Sequence, residues 1–152
     1  MLTLKDPQLF KHFSYINGSW HSSENTLDVT NPATGELVAK VSNATIEETE
    51  MAVAAAKQAF KMWSSKSANE RAKLMRNWFD LMMQHQDDLG KILTLEQGKP
   101  LAEAKGEVAY GAAFIEWLSE EGKRVYGDTI PAPSGDKRIV VIKQPIGVVA
   151  AI

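Results

Sequence analysis

The sequence predicts an α/β fold built from a β-hairpin, four helices and the opening of a parallel sheet. Three observations predict it. Tyr15-Ile16-Asn17-Gly18-Ser19-Trp20 sets Asn-Gly between two apolar-aromatic pieces, a strong hairpin signal. Two capping boxes, Thr45-Ile46-Glu47-Glu48 and Ser67-Ala68-Asn69-Glu70, each precede a run of helical periodicity. The run Pro145-Ile146-Gly147-Val148-Val149-Ala150-Ala151-Ile152 is continuously apolar, the pattern of a strand buried on both faces. Such a strand needs a crossover helix and neighbouring strands. The expectation is that the rest of its sheet lies beyond residue 152, so that the chain is the front of a longer protein.

The elements follow in order. Residues 1–14 are polar and irregular. After the hairpin, Asn31-Pro32-Ala33-Thr34-Gly35 is a turn, and Glu36–Val41 alternates as a strand with Leu37, Ala39 and Val41 on one face. In the first helix Ala52, Ala56, Phe60 and Trp63 share a face. In the second, Leu74, Met75, Trp78, Leu81 and Met82 form the expected buried stripe. A third starts near Asp87 with Leu89, Ile92 and Leu93 inward; Gly98 stops it, and Lys99 suits its negative end. Pro100 fits the first turn of a fourth helix running to about Val125. Residues 127–137 read as a loop and Ile139–Ile142 as a strand. The divisions are 1–14, 15–126 (hairpin and helices), 127–144 (loop and strand) and 145–152 (the buried strand).

Composition sets bounds. The chain has 152 residues, 44% hydrophobic and 24% charged, enough for a core of ordinary globular character. A net charge of −2 argues against nucleic acid as a partner. No apolar run approaches membrane-spanning length. The N-terminus has no secretory pattern, so the cytoplasm is the expected location. With no cysteine, these residues carry no disulfide, thiolate metal site or thiol nucleophile.

The fourth helix is chemically the richest stretch. Leu101, Ala104, Val108, Ala112, Ile115 and Leu118 form a core face. Glu103, Glu107, Tyr110, Phe114 and Trp117 form a second stripe nearly opposite. That stripe is either a second packing interface with an acidic end or the border of an apolar substrate channel with a polar mouth, formed by Glu107, Tyr110 and Phe114. His12, His21 and His85 lack metal-ligand spacing and read as surface residues, and no metal site is expected. No G-x-S-x-G, G-x-G-x-x-G or P-loop pattern occurs.

Taken together, the hairpin motif, Asn31-Pro32-Ala33-Thr34-Gly35-Glu36, the Ala56–Trp63 helix end, Glu70-Arg71 and Glu96-Gln97-Gly98-Lys99-Pro100 resemble the start of aldehyde dehydrogenases, over residues 15–152. Phe114-Ile115-Glu116-Trp117, Glu120–Arg124 and Tyr126–Pro131 resemble bacterial succinate-semialdehyde dehydrogenases, and related enzymes for glutarate semialdehyde share much of this. The resemblance implies a Rossmann-like cofactor-binding domain for NAD or NADP, with Ile152 beside the cofactor at the end of the first strand. It implies an oligomerisation arm after Gly127, and hence a homodimer or homotetramer. It also implies a cysteine mechanism through a thiohemiacetal and a thioester, with a catalytic Asn, Cys and Glu that would all lie beyond Ile152; the 152 residues alone are expected to be inactive. The same resemblance makes Glu107, Tyr110 and Phe114 a substrate-tunnel wall, and associates Glu96 with a monovalent cation near Val29 and Thr30. The rival reading is a stand-alone helical interaction module that covers Ile146–Ile152 with a partner or by self-association.

Overall fold

The computed structural model describes residues 3–152; Met1 and Leu2 of the irregular N-terminus lie outside the described residues. Strands β1 (Ser14–Ile16) and β2 (Ser19–His21) form the expected hairpin. Asn17 and Gly18 both take positive φ, 49° and 82°, as a two-residue turn of this hand requires. Tyr15 and Trp20 face each other across the ladder with ring centroids 4.9 Å apart.

A second hairpin joins β3 (Thr26–Thr30) to β4 (Leu37–Ser42). The Asn31–Gly35 turn connects them: the Asn31 side-chain oxygen accepts the Ala33 N–H at 2.9 Å, and Gly35 takes φ +74°. Sequence periodicity identifies β4 and leaves out its partner. β3 is short and mostly polar, and it owes its strand form to the ladder and to the Asp28–Lys40 pair opposite each other, 2.6 Å apart. On β4, Leu37 is exposed, while Ala39 and Val41 are half-buried together with Val38 and Ser42.

Four helices follow: α1 (Ile46–Ser65), α2 (Ala68–Gln84), α3 (Gln86–Gln97) and α4 (Leu101–Glu121). Both capping boxes close reciprocally. At the second, the Ser67 hydroxyl and N–H both reach the Glu70 carboxylate and hold its pKa below the ordinary range. Gly98 ends α3 in the left-handed region, φ +78°. Pro100 sits one position earlier than expected, as the residue before α4, and α4 gives way at Gly122 to a 3₁₀ turn, Gly122–Arg124.

α4 packs against both α2 and α3. Its contact ridge is small: Ala104 and Ala112 are 0% exposed and Ser119 1%, and Ala72 of α2 is buried too. Close helix approach at alanine places larger side chains outside. Leu74, Trp78 and Leu81, expected in the core, are exposed by about half; Met75 and Met82 are half-buried. Likewise Leu118 of α4 is exposed, and Ser119 takes its place on the buried ridge. α1 has no buried residue: Ala52 and Phe60 are half-buried and Trp63 is exposed. Its alanines Ala52, Ala55, Ala56 and Ala59 border a groove with the Tyr15–Gly18 segment.

Beyond α4, β5 (Asp128–Ile130) pairs antiparallel with β6 (Ile139–Val141), so the predicted loop begins as a strand. Every residue of these two strands is exposed. Pro145–Ile152, expected as a buried strand, has no ladder partner among the described residues and is largely exposed, Ile146 at 95%. A strand is defined by its neighbours, and none of the three two-stranded ladders among the described residues includes this run. In total the chain exposes 11554 Å², where a compact protein of its mass would expose about 7,700 Å².

Candidate functional site

The outer face of α4 carries the residues singled out by sequence. Tyr110 and Phe114, one turn apart, meet edge to face with ring centroids 4.9 Å apart and planes at 80°. They are 66% and 51% exposed, and Trp117 continues the stripe at 68%. The Glu107 carboxylate, one turn before Phe114's neighbour on the same side, is paired with the ammonium of Lys99. Lys99 reaches it from the linker after Gly98, whose left-handed conformation turns the chain from α3 into α4. On the flank toward α2, Arg76 donates to Glu116 at 2.8 Å and lies over the Phe79 ring. The face thus combines an aromatic pair with an acidic end of which Glu107 is paired with a cation. Its two expected aromatics and Glu107 fall on one surface of one helix, and all three are exposed on this chain.

Ile152 is fully exposed. Among the described residues no glycine-rich turn leads from a strand into a helix, and Pro145–Ile152 makes no cradle for a phosphate. His12, His21 and His85 are half-buried rather than exposed, and His12 packs edge-on against Phe10 at 4.9 Å. Glu96 is exposed. No group of three or more His, Asp or Glu side chains gathers as a metal site would among the described residues.

A second polar cluster went unread in the sequence. The segment before β1 lies against the N-terminus of α3. Asp88, 2% exposed, accepts the Asp6 N–H at 2.8 Å and pairs with Lys91 at 3.4 Å, while Lys91 also donates to the Thr3 carbonyl. Asp87 bridges Lys105 of α4 at 2.7 Å and Lys5 at 3.2 Å. The Asp6 N–H is the main cause holding Asp88 below the usual carboxylate range, against burial, which pushes it up. Hydrogen bonds from Lys105 and then Lys5 hold Asp87 low. Two acids in the first turn of α3 also complement its dipole. Asp87-Asp88 could have been read as first-turn acids, but their partners lie 82 residues away.

The helices keep large apolar side chains exposed, and the apolar run Pro145–Ile152 has no ladder among the described residues of this α/β chain. The chain belongs to the aldehyde dehydrogenase family, whose sequence model matches residues 20–152. It is 56% identical to a succinate-semialdehyde dehydrogenase [NADP(+)] of Escherichia coli over 99% of this chain and 32% of that protein. It is equally 56% identical to a glutarate-semialdehyde dehydrogenase of Pseudomonas putida, with the same coverage. The crystal structure of succinate-semialdehyde dehydrogenase from Burkholderia pseudomallei matches with a TM-score of 0.93 at 54% identity, over 95% of this chain and 30% of that one. The chain therefore spans about a third of the length of the curated relatives it matches.

Proposed function

We propose that this chain forms the front of the cofactor-binding domain of an NAD(P)-dependent aldehyde dehydrogenase that oxidises succinate semialdehyde to succinate in the cytoplasm. The full-length enzyme would be this chain followed by the two thirds that its relatives carry in addition. The observation that carries the reading is the 56% identity to the Escherichia coli enzyme across 99% of the chain. Glutarate semialdehyde is the second reading, favoured by the equal identity to the Pseudomonas putida enzyme. Both aldehydes bear a distal carboxylate, so either reading implies an anionic substrate.

Within these residues the proposed roles are structural and directing. Tyr110, Phe114 and Glu107 form one wall of the substrate entrance, their aromatic faces excluding water along the path of a short aldehyde. Pro145–Ile152 enters the nucleotide-binding sheet, and Ile152 ends beside the dinucleotide, offering apolar contact only. The β5–β6 arm pairs with another subunit in a homodimer or homotetramer. The nucleophilic thiol is supplied from outside these 152 residues, which contain no cysteine.

The test is Tyr110→Ala in the full-length enzyme. Truncating a wall residue raises the KM for succinate semialdehyde severalfold and leaves the KM for the dinucleotide unchanged. Equal effects on both, or none on either, would refute the wall assignment.

A further inference from the structure

We infer that Lys99 is a positioning residue that sets the charge of the substrate entrance, and with it the preference for anionic aldehydes, by neutralising Glu107. The inference rests on the entrance reading above. Glu103 and Glu107 lie one turn apart on α4, and an acidic pair at that place opposes the approach of an aldehyde bearing a carboxylate. Lys99 cancels one of the two charges at its source: its ammonium sits on the Glu107 carboxylate. The side chain of Lys99 is 27% exposed against 45% for Glu107, so the cation is the more sheltered partner of the pair.

Neighbouring cations have other work. Lys105 is engaged by Asp87 at 2.7 Å, and Arg76 by Glu116 and Asp80. Lys99 also stands just before the N-terminus of α4, where the helix dipole disfavours a cation. Its position there is accounted for by Glu107 one way and by the C-terminal end of α3 the other. The Gly98 turn is what directs the lysine across the helix break, so that residues eight apart in sequence become partners.

The experiment compares succinate semialdehyde with butanal, an uncharged aldehyde of the same chain length, in the full-length enzyme. Lys99→Gln leaves Glu107 as a bare charge and lowers the ratio of kcat/KM for succinate semialdehyde to that for butanal about threefold to tenfold. The loss appears in KM, and it shrinks when ionic strength is raised well above about 0.1 M, where exposed charges are screened. Lys99→Arg keeps the ratio within about twofold, because the charge is kept. Adding Glu107→Gln to Lys99→Gln restores the ratio, because the uncompensated acid is gone. A merely structural lysine would move both aldehydes together. An unchanged ratio, or an equal loss with both aldehydes, overturns the charge role while leaving the wall assignment to the Tyr110→Ala result. A full-length enzyme that oxidises neither aldehyde overturns the function proposed above and this inference with it.

Discussion

Replacing Gly98 by Ala tests the joint that aims α3, α4 and Lys99. Two costs add at this position. The backbone is left-handed, φ +78°, which charges an L-residue about 1–2 kcal/mol, offset by up to about 1 kcal/mol from the stiffer unfolded chain. A Cβ would also come 2.8 Å from Cγ of Pro32, a ring atom of the Asn31–Gly35 turn with little freedom to yield. Overpacking of that kind costs about 1–3 kcal/mol. The expected loss is about 2–4 kcal/mol, read from urea unfolding of the full-length enzyme by far-UV circular dichroism. Gly35→Ala is the internal control: φ is +74° and nothing lies within 4 Å of the new Cβ, so only the backbone cost applies. Pro32→Ala in the Gly98→Ala background should recover the contact cost, giving a coupling of about 1–3 kcal/mol between the two sites. If Gly98→Ala is no worse than Gly35→Ala, the turn does not brace the end of α3 and the reasoning fails.

Three further outcomes follow from the packing and the charges. Ala112→Leu, at 0% exposure on the α4 ridge, should destabilise by about 1–3 kcal/mol, whereas Ala113→Leu, exposed on the same helix, should stay within about 0.5 kcal/mol; similar urea midpoints for the two would contradict the ridge. Thr45→Ala removes the acceptor of the Glu48 N–H at 3.2 Å and should cost about 1 kcal/mol. Asp88→Asn carries a sign in pH. The folded pKa of Asp88 is depressed, so its ionised form stabilises the fold above the unfolded-state value, and that stability is lost as pH falls through the folded value. The deficit of Asp88→Asn in urea midpoint should therefore be full at neutral pH and fade on acidification below the ordinary aspartate range. A deficit independent of pH would remove Asp88 from the clasp on residues 3–6.

Local chemistry was the legible part of this fold. Asn17-Gly18, the two capping boxes and Gly98 each specify a backbone conformation through neighbours in sequence, and each element they announce is present. Burial was less legible, because periodicity reports which face is apolar but not which neighbour covers it. Leu74, Trp78 and Leu81 look like core and lie outside, since α2 meets α4 through small residues instead. Pro145–Ile152 reads as a strand yet has no ladder here, because pairing is a property of the neighbour as much as of the segment. β3 shows the converse: a weak pattern made into a strand by β4. In the site, the α4 spacing placed Glu107, Tyr110 and Phe114 together, but the Lys99 partnership crosses a helix break and could not be read from helical spacing. The Asp88 clasp was hidden by its 82-residue separation from Asp6.

The central claim is that these 152 residues supply scaffold and entrance wall while the bond-making groups come from elsewhere in the enzyme. Aldehyde-dependent NAD(P)H formation, measured side by side on the 152-residue chain and on the full-length enzyme with succinate semialdehyde, tests it most directly. The account predicts turnover by the full-length enzyme and none by the chain alone. Turnover by the chain alone, which has no cysteine to form a thioester, would contradict it.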